Sequence, residues 1–355
     1  MKKPIKMRRE KKIKKSNTNL IYFKLLKILI ILLFGVFSML KLKKHKIIEI
    51  SDENNILAFY KKKLEDFCNN QDKYINNEIE KEIKLFDVEI NGTSYQMYST
   101  KIPIGLSSDL SSYKAYEKKE TLNILEALKF YGNKMNIKDN KDIYMIDVGG
   151  SAGWYPSFLG RFKYTILTFE PFPVNYYIIS KNYCLLNKNS NVIIINQGLN
   201  IEEKVCSYYA DRECLLNGMT LCDGDNNNRN IVMGRFFKKG EVNLTRLSNF
   251  IPYLSDKNIA LIKLDCEGSE ERAIKSGMEL VTKYHVPFIF LEFSPKFLGQ
   301  HNSDPSNFIK FFLDNGYVMS INGFLDKNYI TLEELLNKVK FQINLYLIYQ
   351  GFINN

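Results

Sequence analysis

The chain has 355 residues, 45% of them hydrophobic, which is room for one large domain or two small ones and enough apolar material for a sizeable core. Its formal charge of +11 sits at one end: residues 1–46 hold 15 Lys and Arg against the single acid Glu10, leaving 35 basic and 38 acidic residues in the rest. The globular part is therefore slightly acidic, which excludes nucleic acid as an implied partner. Three histidines and the absence of any Cys-x-x-Cys argue against a metal site.

Residues 1–18 form a basic tail, and residues 19–40 follow as an apolar stretch interrupted by Lys24 and Lys27. Its uninterrupted part, Ile28–Leu40, has 13 residues, short of the roughly 20 that span a bilayer. With both lysines snorkelling toward the head groups, the whole stretch reaches across. The charge excess before it predicts a transmembrane signal-anchor with a cytosolic N-terminus. The protein is then a single-pass type II membrane protein whose domain is lumenal or exterior, in the Golgi or ER if the cell is eukaryotic. A cleaved signal peptide is the alternative, since 13 apolar residues also suit an h-region, although no small-residue cleavage site follows. Residues 41–83, with a helical pattern at Ile56–Phe67, read as a stem, and residues 84–355 as the domain.

The domain opens with two alternating runs, Leu85–Tyr98, around Asn91-Gly92, which predicts a β-hairpin. Glu120–Tyr131 predicts an amphipathic helix. Asp142–Val148 is a short apolar run that predicts a buried strand, and a glycine turn follows in which Asp147, Gly149, Gly150, Ser151 and Gly153 stand close together. Glycine lets the backbone approach a ligand because no Cβ intervenes. A strand, a glycine turn and a helix hold nucleotide-type cofactors in doubly wound α/β domains, but the spacing Asp147-x-Gly149-x-Ser151-x-Gly153 is not the dinucleotide Gly-x-Gly-x-x-Gly. Tyr164–Glu170 is a β-rich run ending in an acid 23 residues after Asp147, a position suited to ribose hydroxyls. A helix over Val174–Leu186 and a strand over Asn191–Asn196 follow, with Asn196 and Gln197 either bonding an adenine edge or serving simply as polar residues at the strand end.

Residues 200–257 are too long for a plain crossover and predict an inserted β-ribbon bordering the site, with Cys206, Cys214 and Cys222 available for pairing and a helix over Glu241–Leu254. Strand Asn258–Leu264 then ends in Asp265-Cys-Glu267-Gly. Helix Glu270–Lys283, strand Pro287–Phe293, helix Ser306–Asn315 and strands Tyr317–Ile321 and Gln342–Gln350 complete an α/β sheet with helices on both faces, its final pair including an antiparallel edge strand.

Three blocks, Ile146–Gly153, Phe169–Asn175 and Ile262–Glu270, together resemble the FkbM family of S-adenosylmethionine (SAM)-dependent methyltransferases. The likeness covers Asp142–Glu292, with Ser151 standing where the family more often shows Asn. It implies a class I (Rossmann-like) methyltransferase sheet and SAM as cofactor, held by Asp147, Gly149, Gly150, Ser151, Gly153, Glu170, Asn196 and Gln197. It also implies O-methylation of a hydroxyl on a glycan or other small-molecule acceptor. Methyl transfer is an in-line displacement, so the enzyme mainly aligns the acceptor, and a general base assists a hydroxyl. Asp265, Glu267 and Glu292, at the C-terminal ends of predicted strands, are the candidates for that work, with His301 in the loop beyond. Glu267 alternatively caps the helix beginning near Ser269, and Trp154 packs on the cofactor or in the core. Two other readings stay open. Asp223-Gly-Asp225 resembles the metal-holding Asp-x-Asp of membrane-anchored glycosyltransferases, and the fold also suits an anchored non-catalytic domain.

Overall fold

The computed structural model describes residues 56–186, 190–211, 216–223, 225 and 236–354. The basic tail, the apolar stretch and the start of the stem lie outside the described residues, as does Cys214. Among those described, no helix is long and apolar enough to cross a membrane.

Residues 55–355 form one compact unit. The helix Ile56–Asn69, read from sequence as part of the stem, packs onto the domain through Leu64 and Phe67, the latter edge-on to Tyr177. A disulfide between Cys68 and Cys184 ties it there. Strands β1 (Ile83–Ile90) and β2 (Thr93–Thr100) form the expected hairpin, with Asn91 and Gly92 both at positive φ in a turn whose twist suits antiparallel strands.

Seven strands make the central sheet: β3 (Ile143–Val148), β4 (Thr165–Phe169), β5 (Asn191–Ile195), β10 (Asn258–Leu264), β11 (Phe288–Phe293), β12 (Tyr317–Ser320) and β13 (Ile343–Tyr349). Their order is β12-β13-β11-β10-β3-β4-β5. The five from β3 to β11 are parallel, and their near-continuous apolar runs suit a sheet buried on both faces. β13 runs antiparallel to both neighbours, so the reversed strand is not the edge strand expected but the one inside it. Two apolar clusters cover the two faces. Met145 of β3, Leu261 of β10 and Phe290 of β11 belong to one, while Ile146, Ile262 and Leu291 belong to the other. Alternation of side chains along a strand then carries Asp147, Lys263 and Glu292 to the first face, at the C-terminal ends of three adjacent strands.

The inserted ribbon contains β6 (Gly198–Leu199), β7 (Lys204–Asp211), β8 (Gly218–Leu221) and β9 (Phe236–Thr245), ordered β6-β9-β7-β8. A Cys206–Cys222 disulfide joins β7 to the segment after β8. β9 corrects the helix expected over Glu241–Leu254, of which only Ile251–Leu254 is α-helical. Val242 and Leu244 turn inward while Glu241 and Asn243 face out, a period of two that belongs to a strand. The helix expected over Glu270–Lys283 is broken into Glu270–Lys275 and Glu279–Thr282, with Gly277, a poor helix former, between them.

Candidate active site

The C-terminal ends of β3, β4, β10 and β11 open into a cleft of about 1360 Å³, counting its open mouth. Its floor is Gly149–Ala152, Glu170, Lys263, Asp265, Glu267 and Glu292. One wall is Ile104–Leu106 with Tyr116 and Glu117, and another is the ribbon segment Leu216–Thr220 with Cys222. This is where open α/β sheets place their ligands.

The turn after β3 is built for close approach. Gly149, Ser151 and Gly153 all have positive φ, and the Gly149 and Gly150 amides donate to Phe169 O at 3.0 and 3.1 Å. A Cβ on Gly149 would lie 1.8 Å from Asp265 O, and one on Gly150 would lie 2.3 Å from Thr168 Cγ2. The first demand on Gly149 is thus contact with the chain end of β10, which brings the two halves of the floor together.

On one side of that turn Glu170 is 3% exposed. Its Oε2 accepts from Ser151 N at 2.7 Å and its Oε1 from Phe172 N at 2.9 Å. Each oxygen keeps lone-pair capacity for a further donor in the cleft. Burial pushes its pKa up to about 7. The other residues expected at the cofactor divide. Gly149, Gly150 and Ser151 line the cleft, whereas Asp147, Gly153, Asn196 and Gln197 do not. Asp147 is 1% exposed and faces Lys263. Gly153 packs where a Cβ would meet Ile179 Cγ1 at 2.5 Å. Asn196 Nδ2 donates to the Glu170 and Pro171 carbonyls, and Gln197 Oε1 accepts from the Tyr60 hydroxyl at 3.0 Å. These residues hold the strand ends in place.

On the other side Lys263, 2% exposed, sits between two acids: its Nζ is 3.3 Å from Asp147 Oδ1 and 3.2 Å from Asp265 Oδ2, and donates to Gly149 O at 3.0 Å. The three expected catalytic acids do converge here, since Asp265, Glu267 and Glu292 all line the cleft. Burial, with Asp265 and Glu267 alongside, drives the Glu292 carboxyl far above its usual range, and Gln342 Nε2 donates to it. Glu267 has φ +56°. Glu270 holds the turn, its Oε1 accepting from Cys266 N at 2.9 Å and Gly268 N at 3.1 Å. Glu117, which the sequence reading passed over, also enters the cleft. Its Oε2 accepts from the Tyr155 hydroxyl at 2.6 Å, and burial pushes its pKa up to about 7.

His301 is buried outside the cleft lining, and burial lowers its pKa. Its carbonyl accepts from Arg272 Nη2 at 2.7 Å, and the same nitrogen is 2.5 Å from Asp225 Oδ1. Asp225 Oδ2 accepts from Cys222 N at 2.8 Å. Both oxygens of Asp225 are thus spent on fastening the ribbon to the core, while Asp223 is exposed. The Asp-x-Asp pair is not arranged as a metal site, and among the described residues no group of three or more His, Cys, Asp or Glu is placed to hold a metal. Trp154 lines the cleft and also serves the core, its indole donating to Thr121 Oγ1 at 2.7 Å. Burial pushes the Cys266 thiol well up.

Residues 147–319 match the family model described as Methyltransferase FkbM domain. No curated protein matches the chain. Several solved structures are similar over most of their own length. A precorrin-6y C5,15-methyltransferase from Geobacter metallireducens is 12% identical, covering 63% of this chain and 85% of its own, with a TM-score of 0.29. A TehB-like SAM-dependent methyltransferase from Corynebacterium glutamicum is 8% identical, covering 62% and 86%, with a TM-score of 0.28. The METTL16 MTase domain is 12% identical, covering 84% and 98%, with a TM-score of 0.33.

Proposed function

Residues 147–319 being a methyltransferase FkbM domain, and the chain therefore an enzyme that takes its methyl group from SAM, we propose that it methylates a hydroxyl of a neutral glycan or other small acceptor. The residues present fit the donor. Gly149–Ser151 form a backbone cradle with no side chain at Gly149 or Gly150, and Glu170 offers two carboxylate oxygens to the cleft, suited to the hydroxyls of a ribose. When bound there, SAM supplies an electrophilic methyl group.

The observation that carries the acceptor class is the acid-lined part of the cleft around Lys263. Four carboxyl groups, of Glu117, Asp265, Glu267 and Glu292, face the cleft together with Lys263, which Asp147 and Asp265 already engage. Such a lining accepts hydrogen bonds from hydroxyls, and its cations Lys263 and Arg272 are already engaged by carboxylates, which disfavours phosphate and carboxylate acceptors. Glu292, kept protonated, also has a proton to donate. The glycosyltransferase alternative loses its metal site once Asp225 is committed to Arg272 and Cys222.

Incubating the full-length protein with methyl-labelled SAM and a panel of neutral hexose glycosides, their uronic acid and phosphate counterparts, and peptides tests this reading. Label is expected on hydroxyls of the neutral glycosides. Label confined to the acidic acceptors, or to peptide nitrogen, contradicts it.

We also propose that the N-terminal segment anchors the enzyme with its domain outside the cytosol. The basic charge before the apolar stretch supports that orientation. So do the two disulfides, a type of bond that persists in oxidising compartments. Protease added to sealed membranes from the producing cell, oriented cytosolic face outward, should remove the first 18 or so residues and spare the domain. Digestion of the domain with survival of the tail would reverse the orientation.

A further inference from the structure

We infer that Glu117, which lies upstream of the residues matched to the family, is the catalytic residue that takes the proton from the acceptor hydroxyl. This rests on the O-methylation reading. In the step, the acceptor O–H bond breaks and its electron pair forms the new O–CH₃ bond. The methyl–sulfur bond breaks with its pair left on sulfur, giving the neutral thioether, and the proton goes to a Glu117 carboxylate oxygen.

The backbone around Glu117 shows a side chain diverted from local duty. It immediately precedes the helix Lys118–Lys134, the position from which a polar side chain ordinarily caps the first turn. It makes no side-chain cap, and its φ is +39°, an uncommon conformation for a residue with a Cβ. Only its carbonyl serves the helix, accepting from Thr121 N at 2.8 Å. The carboxyl group turns inward, to the cleft and to the Tyr155 hydroxyl. Backbone strain of this kind persists where the surroundings enforce it, and it gathers at active sites.

The neighbours make a purely structural role a poor fit. Tyr116 stands beside Glu117 on the same segment, and Tyr155 faces it from the helix Trp154–Leu159. Asp265 and Lys263 face it from the end of β10, Tyr346 lies near on β13, and Glu292 borders the same cleft from β11. Asp147 and Asp265 both lie within ion-pair distance of the Lys263 ammonium. Glu117 is thus an acid buried close to another acid, which is unfavourable unless it has a use. If satisfying Tyr155 were the whole purpose, a neutral amide would do it at lower cost.

Two of the other acids in the cleft are less suited to the proton. Asp265 is tied to Lys263 at 3.2 Å, and Glu292 is already protonated. Burial sets the Glu117 carboxyl near neutrality, where a general base divides best between its two forms.

The test uses the full-length protein, SAM at saturating concentration throughout the pH range, and a neutral methyl hexoside as acceptor, with single-turnover rates followed from pH 5 to 9. The wild-type rate should rise with pH through about 7 as Glu117 ionises. Glu117→Gln should lower the rate by roughly 10²- to 10⁴-fold and abolish that rise, while SAM affinity stays unchanged. Tyr155→Phe removes a hydrogen bond that favours the ionised carboxylate, so it should move the rise to higher pH. That shift is one a residue of structural role alone would not produce, and it keeps the inference open to test if Glu117→Gln folds poorly. Wild-type turnover with Glu117→Gln unchanged in rate and profile, or with Tyr155→Phe unmoved, overturns the assignment of Glu117 alone. A wild type that binds SAM but methylates no hydroxyl contradicts the O-methylation reading and this inference with it.

Discussion

Lys263→Met is expected to destabilise the domain by roughly 3–5 kcal/mol, the scale for breaking a buried ion pair from one side. Lys263 is 2% exposed and is the cation nearest Asp147, itself 1% exposed. Burial pulls the lysine's pKa down, but Asp265 and Asp147 more than offset this, so it is charged across the physiological range. Methionine fills the same volume and leaves Asp147 buried without a counter-charge.

The loss has a definite pH dependence. Burial already raises the Asp147 pKa in the native protein, and removal of Lys263 raises it further. A carboxyl whose folded pKa lies above its unfolded value of about 3.9 binds more protons when folded. Stability therefore falls as pH rises through that window. The melting temperature of Lys263→Met should be closest to wild type near pH 5 and drop progressively toward pH 8, and adding Asp147→Asn should recover much of the difference. An unchanged melting temperature at pH 8 would show that the Asp147–Lys263–Asp265 cluster does not hold the strand ends together.

Glu170→Ala is expected to weaken SAM binding by roughly 1.5–3 kcal/mol, the scale for a hydrogen bond to a charged group, or about 10- to 150-fold in Kd. The carboxyl is fixed by Ser151 N and Phe172 N and opens on the cleft. Its pKa near 7 adds a signature. Wild-type affinity for SAM should strengthen between about pH 6 and 8 as the carboxylate forms, while Glu170→Ala should lack that rise. Before ligand binds, the raised pKa makes Glu170 a cost to stability that grows as pH rises from its unfolded value of about 4.3 toward 7. Calorimetry across that pH range measures the binding effect directly, and equal affinities in both proteins would remove the ribose contact from the account.

The parts of the molecule governed by local pattern were legible in the amino-acid sequence. The hairpin at Asn91-Gly92, the buried strands around Ile146, Leu167 and Ile262, and the acids ending β4, β10 and β11 all follow from short-range periodicity and turn chemistry. β9 was also legible, since Val242 and Leu244 alternate with Glu241 and Asn243, but its length suggested a helix leading into β10.

The remainder depends on contacts distant in sequence. The Cys68–Cys184 bridge joins residues 116 apart, and nothing local pairs them. Asp147, at the end of its strand, reads as a ligand until the register places Lys263 beside it. A lone lysine in the apolar run Asn258–Leu264 was the available signal for that partner. Glu117 carries no sequence mark at all: it becomes part of the cleft only because the helix it precedes packs against β10, which brings Glu117 close to Asp265.

Titration of the full-length protein with SAM by calorimetry at pH 8, followed by the same titration of Glu170→Ala, tests the central claim most directly. One SAM site per chain, weakened about 10- to 150-fold by the substitution, is the predicted result. No measurable binding of SAM to the folded wild type would contradict it.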